Sequence, residues 1–192
     1  MGERVFVDAN VLFSRTLRDW LFLLKLRSGG RMFTLGSTED VLAETVARLR
    51  DKWHDMPGKV VSNLRTKLVT NLEELVDDFA IEQWMMRGDV GDAHVRAAAQ
   101  ARGFTMLLTA DRGLLAEREE DSPALYETIS PDEFFVLIDD SSPDLVRAVV
   151  KEQMDHFMKT RGDADLTQAL RNADCPAFAE RVNGHLHALL GS

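Results

Sequence analysis

A single cysteine, Cys175, stands among the 192 residues, so no intramolecular disulfide can form and a reducing compartment is the natural setting. Cys175 itself reads as a small buried hydrophobe. Long apolar runs are missing too. The most apolar early stretch, Trp20 to Leu26, is interrupted by Lys25 and followed by Arg27, far short of the roughly 20 apolar residues of a membrane span. The opening Met-Gly-Glu-Arg leads straight into a strand-like run, without the basic segment, apolar stretch and small-residue cleavage site of a secretory signal. A cytoplasmic protein with no membrane partner is expected. No glycine-rich turn follows the first apolar run, which excludes a dinucleotide-binding fold. No Cys or His pair has zinc spacing. Net positive charge is also lacking: the chain carries −9, at first sight a poor match for nucleic acid. The distribution changes that reading. Residues 1–67 hold 12 Lys/Arg against 8 Asp/Glu, and residues 68–192 hold 11 against 24. Arg15, Arg18, Lys25, Arg48, Arg50, Lys52, Arg65 and Lys67 are therefore candidates for phosphate or acidic-partner contacts, beside the plainer reading of solvated helix faces.

What is present is a folded body. Apolar residues make up 45% and charged residues 29%, the range of a globular domain with room for an appendage. Arg4 to Asp8 reads as a buried strand, and Asn10 to Arg27 as one helix stopped by Gly29-Gly30. Met32 to Leu35 reads as a second strand. Ser37 or Thr38 can cap a helix reaching about Asp55, and Lys59 to Leu72 is a further helix. Leu75 to Ile81 is either strand or helix. An alanine-rich helix starts at Asp92 and ends at Gly103, followed by strands at Phe104 to Thr109 and Leu125 to Ile129. Ser130-Pro131-Asp132-Glu133 opens a helix through Leu137. Alternating strands and helices indicate an α/β fold with a mostly parallel sheet of four to five strands. Asp139 to Pro143 reads as a linker, and residues beyond it show only helical patterns.

Two apolar strands stop at an aspartate, Val5-Phe6-Val7-Asp8 and Met106-Leu107-Leu108-Thr109-Ala110-Asp111. In open parallel sheets the carboxyl ends of the strands line the ligand crevice, so both acids point to one rim. Asp92 stands at a helix start just before the second of these strands. Singly, such residues are usually caps or turn formers. Together they repel, by on the order of 4 kcal/mol per pair at 4 Å and an effective dielectric of about 20, and a cation relieves that repulsion. Hard oxygen ligands suit Mg²⁺ or Mn²⁺, ions whose chemistry is phosphoryl transfer and phosphodiester hydrolysis.

At these residues the sequence resembles the PIN-domain nucleases, VapC-type toxins in particular. The resemblance rests on Val7-Asp8-Ala9-Asn10-Val11-Leu12, on Glu44 in Asp40-Val-Leu-Ala-Glu-Thr, on Asp89-Val-Gly-Asp92-Ala-His94-Val, and on Leu108-Thr109-Ala110-Asp111. It covers roughly residues 4–138 and implies a three-layer α/β/α domain over residues 1–140; residues 141–192, which show only helical patterns, read as a C-terminal helical extension absent from minimal PIN domains. It implies further a Mg²⁺- or Mn²⁺-dependent endoribonuclease in which Asp8, Asp92 and Asp111 hold the metal. Glu44 would orient or deprotonate the attacking water, although helical periodicity alone makes it a solvated residue. Asn10 and Thr109 would steady the carboxylates, and Asp89 would be either an auxiliary acid or a residue of the helix's N-terminal turn. His94 reads as structural, with a phosphate contact the alternative. An antitoxin partner and a homodimer belong to the same expectation. Two other readings remain: a PIN-fold module that binds RNA or protein without cutting, and a haloacid-dehalogenase-like phosphatase, which would want an acid where Asn10 stands.

Overall fold

In a computed structural model, which describes residues 2–86, 89–117, 123–160 and 165–191, the first apolar run becomes β1 (Glu3–Val7), with Val5, Phe6 and Val7 wholly buried. A strand apolar on both faces belongs inside a parallel sheet. Its neighbours are β2 (Phe33–Ser37) and β4 (Met106–Leu108), flanked by β3 (Glu74–Leu75) and β5 (Glu127–Ile129). The chain is thus α/β, and its five strands pair in parallel in the order β3-β2-β1-β4-β5. Strand order reverses between β1 and β4, where the register sets Val7 against Leu108. That junction is the switch point at which open parallel sheets bind ligands.

The expected first helix is two helices. Ser14 adopts an extended backbone between α1 (Ala9–Phe13) and α2 (Arg15–Ser28), and its hydroxyl accepts from Leu17 N at 3.4 Å as the cap of α2. Side-chain periodicity runs through such a break, which is why it is invisible to pattern. Thr38, rather than Ser37, caps α3 (Glu39–Lys52), accepting from Val41 N at 3.1 Å; the Ser37 hydroxyl donates instead to Val7 O at 2.9 Å. The chain continues with α4 (Gly58–Asn71), α5 (Ala93–Ala101) and the short α6 (Arg112–Ala116). Of the ambiguous stretch from Leu75 to Ile81, only Leu75 is strand.

Gly36 in β2 marks a close approach. A Cβ there would overlap the ring of Phe104, which packs edge-on to Phe6 with centroids 5.4 Å apart. Gly36→Ala is expected to destabilise by about 1–3 kcal/mol, the range for overpacking a tight core, as read by urea denaturation. An unchanged midpoint would mean that Phe104 can move aside.

Contacts divide the chain into two compact units, Met1–Phe13 with Arg31–Ile129, and Ser14–Gly30 with Ser130–Ser192. The cut drawn from composition at residue 140 does not coincide with this division. The second unit contains α2, α7 (Pro131–Ser141), α8 (Pro143–Thr160), α9 (Leu166–Arg171) and α10 (Pro176–Leu190). Its core includes Trp20, edge-on to Phe178 at 5.0 Å, and Phe135, 5.1 Å from the same ring. Asp139, expected in a linker, is buried on α7, 2.7 Å from His185 Nε2 on α10. Only Ser142 separates α7 from α8, since a residue before proline is disfavoured in a helix. Cys175 is buried at the start of α10; desolvation first, then Asp132 and Asp174, push its thiol pKa up.

Candidate active site

The first unit builds the site from the carboxyl ends of β1 and β4. Asp8 N donates to Leu108 O at 3.1 Å, so the strand pairing extends to the residue that bears the carboxylate. The Asp8 side chain is only 6% exposed. Its Oδ1 accepts from Ala9 N at 2.6 Å; its Oδ2 accepts from Asn10 Nδ2 and from the Thr109 hydroxyl, each at 2.7 Å. Three donors fill three of about four acceptor positions on the carboxylate, leaving one direction open. Desolvation raises the Asp8 pKa; the bonds from Thr109 and Ala9 oppose this, the Glu44 charge adds to it, and Arg48 lowers it.

Thr109 and Asn10 lock this geometry. The Thr109 hydroxyl has one proton, given to Asp8, and its oxygen accepts from Asp111 N at 3.0 Å and Asn10 Nδ2 at 3.1 Å. Asn10 Oδ1 accepts from Ala110 N at 2.9 Å. Both ends of the amide are therefore assigned by their partners, and Asn10 is a brace between β1 and β4.

The other acids divide by what their side chains do locally. Asp111 caps α6, its Oδ1 accepting from Gly113 N at 2.7 Å and Leu114 N at 3.1 Å, with Oδ2 outside the cap. Asp89 accepts from Gly91 N at 2.8 Å, an ordinary turn bond. Asp92 precedes α5 yet makes no capping bond. Its pKa is raised to about 6, by desolvation first, then by Asp111, with Asp8 and Asp89 adding and Arg96 opposing. A carboxylate half-withdrawn from water, released from the capping role its position offers, and repelled by three neighbouring acids is what a cation site requires.

Glu44 is half-exposed on α3 and pairs with Arg48, one turn on, at 2.6 Å. Its charge reaches Asp8, while its exposure and its pairing with Arg48 are those of the solvated residue that periodicity expects. Of the basic candidates, Arg48 acts on the charge of Asp8. Arg65 is held by Glu39 through two bonds of 2.8 and 2.9 Å, and Arg18 is buried in the second unit. His94 Nδ1 lies 2.7 Å from Gly91 O and so carries the proton; Nε2 is buried with no hydrogen-bond partner among the described residues.

Sequence reasoning missed Arg96 and Glu117. Arg96 is 2% exposed within the alanine-rich helix. Its guanidinium makes a forked pair with Glu117, Nε to Oε2 at 3.0 Å and Nη2 to Oε1 at 2.6 Å, while Nη1 donates to Met85 O at 3.0 Å and Asp89 O at 3.3 Å. Glu117 directly follows α6, the helix begun by Asp111. One buried cation thereby ties the segment entering Asp92 to the helix led by Asp111. The available signal was an arginine amid Val95, Ala97, Ala98 and Ala99, which has to find an internal partner.

The donor set fits a hard divalent cation: Asp8 with an acceptor direction open, Asp92 uncapped, and Asp111 with one oxygen to spare. Among the described residues no group of three or more His, Cys, Asp or Glu is arranged to hold an ion by itself; Mg²⁺ is commonly held by one or two carboxylates with water and substrate phosphates completing its shell. Comparison of the sequence with family models and with curated proteins returned no match.

Proposed function

We propose that the chain is a PIN-like, metal-dependent endoribonuclease. The observation that carries the reading is the placement of Asp8 and Asp111 behind β1 and β4, at the switch point of the sheet, with both of their charges acting on Asp92 and that of Glu44 on α3 acting on Asp8. Asp8, Asp92 and Asp111 would hold Mg²⁺ or Mn²⁺, which supplies Lewis acidity at the phosphoryl oxygens and lowers the pKa of a coordinated water. Thr109 and Asn10 keep the Asp8 carboxylate oriented without competing for charge. Glu44 accepts the proton of the attacking water, and Arg48 beside it meets the phosphate charge. The phosphatase alternative loses ground because Asn10, braced at both ends, has no acid to offer there.

The three-layer PIN-like arrangement, the helices beyond residue 140 as an accessory element, a homodimer, and a role as the toxin of a toxin–antitoxin pair are parts of the same proposal. Among the described residues no helix is long and apolar enough to cross a membrane, in keeping with a cytoplasmic RNA substrate.

A labelled mixed RNA pool incubated with wild-type chain and with Asp8→Asn, each in EDTA, Mg²⁺ or Mn²⁺, tests the activity. Metal-dependent cutting is expected, reduced about a hundredfold or more by the substitution, since even outer partners of metal ligands are worth about 10–100-fold. Binding without cutting in every metal would leave a non-catalytic RNA-binding module. For the toxin role, induced expression should arrest growth with wild type and not with Asp8→Asn; growth unaffected by wild type would remove that role and leave the nuclease.

A further inference from the structure

We propose that one stripe of α3 is the track along which single-stranded RNA approaches the carboxylates, and that Trp53 at its end is a base-stacking platform. The inference rests on the nuclease reading and adds to it the form of the substrate.

Glu44, Arg48 and Lys52 recur every four residues and so share one side of α3. From Glu44 to Lys52 the helix rises about 12 Å, room for a short run of nucleotides. At the near end, Glu44 and Arg48 pair at 2.6 Å on a helix that packs against α1, which starts at the residue after Asp8. At the far end, the Lys52 ammonium lies 4.8 Å from the Trp53 ring centre and 5.3 Å from that of Phe13. The two rings are 6.5 Å apart and inclined by 32°. Phe13 is the last residue of α1, the helix that begins immediately after Asp8. The aromatic cluster is thus tethered to the carboxylates twice, through α1 and through α3.

Trp53 is 43% exposed, so part of its indole is open to contact. A cation held over an aromatic pair, with a second cation one turn closer to an acidic site, matches the two needs of a single strand: phosphates want charge, and unstacked bases want a π-face. A duplex offers its phosphates but no free base face, so the cluster selects for unpaired RNA. The net acidity of the chain does not oppose this, because the surplus of basic residues lies in residues 1–67.

The test is anisotropy of a short labelled oligouridine in EDTA, with wild-type chain, Trp53→Ala, Trp53→Phe and Lys52→Gln, each checked by circular dichroism. Loss of the platform should weaken binding about 5- to 100-fold, the range for stacking one base; Trp53→Phe should recover most of it. Lys52→Gln should weaken binding and reduce the slope of log affinity against log salt by about 0.7, one phosphate contact on a single strand. A base-paired hairpin should bind more weakly than oligouridine and show no dependence on Trp53. In cleavage, Trp53→Phe and Trp53→Ala should act on KM more than on kcat. Native-like Trp53→Ala with wild-type affinity overturns the track, as does hairpin binding that depends equally on Trp53, or oligouridine that fails to bind wild type. The two readings fail separately. Cutting that needs Asp8 but not Trp53 removes the track alone, and Trp53-dependent binding with no cutting in any metal removes the nuclease alone.

Discussion

Replacing Asp92 by Asn is expected to raise the melting temperature of the metal-free protein while abolishing cleavage. Asp92 is forced to ionise at neutral pH although its pKa is pushed up to about 6, through desolvation first and the charge of Asp111 next. An acid whose folded pKa exceeds its unfolded value binds its proton more tightly in the native state. Its ionisation therefore costs stability in full above about pH 6, and the cost vanishes as the pH falls toward the ordinary carboxylate value. A shift of this size corresponds to about 3 kcal/mol at 1.36 kcal/mol per unit; for a partly exposed side chain, screening reduces that to on the order of 1 kcal/mol. Asn removes the cost, worth roughly 2–4 °C for a chain of this size. The advantage should shrink as pH is lowered from 7 to 5, and millimolar Mn²⁺ should reverse the order, because only wild type gains the binding term. Thermal unfolding across that pH range, with and without metal, reads all three effects. A metal-free Asp92→Asn that melts below wild type at pH 7 would show that Asp92 makes a bond the fold depends on.

The second large effect is expected at Arg96 and Glu117. Glu117→Ala strands a guanidinium that is 2% exposed, with only the carbonyls of Met85 and Asp89 left to satisfy it. Breaking a buried pair from one side costs about 3–5 kcal/mol. Arg96→Met removes the charge but leaves those carbonyls unpaired, about 1–3 kcal/mol for each that is shut off from water. The double variant should be less destabilised than the sum of the two, since the second change removes the charge orphaned by the first. Mn²⁺ affinity measured by calorimetry should fall about tenfold in Arg96→Met, because the pair braces the entry to Asp92 against the helix of Asp111. Additive single effects below 1 kcal/mol would mean the pair is solvated and does not brace the site.

What was legible in the sequence follows from the range of the interaction that makes it. The α/β class and the parallel sheet were visible because buried parallel strands must be continuously apolar, as in Val5-Phe6-Val7, and because Asp8 and Asp111 are the points where such runs end. The break at Ser14 was not, because one capping hydroxyl interrupts a helix without disturbing its apolar stripe. The supposed linker at Asp139 misled because its composition is that of a loop, while its burial depends on His185, forty-six residues away. Asp92 stood out as an acid at a helix start, but whether it caps its helix is a matter of rotamer, which no pattern encodes. Arg96 and Glu117, twenty-one residues apart, have no periodic relation, so only the fold brings them together.

The second unit draws on the chain twice, and that has a consequence for synthesis. Leu17, Trp20, Leu21 and Leu24 on α2 are made early, but much of what buries them, Phe178 among it, is made last. About 150 residues separate Leu24 from Phe178, which at 5–20 residues per second is roughly 8–30 s of waiting on the ribosome. Through that interval a nascent amphipathic helix with an exposed tryptophan is a natural client for a chaperone, and its release is timed by translation of the last helices.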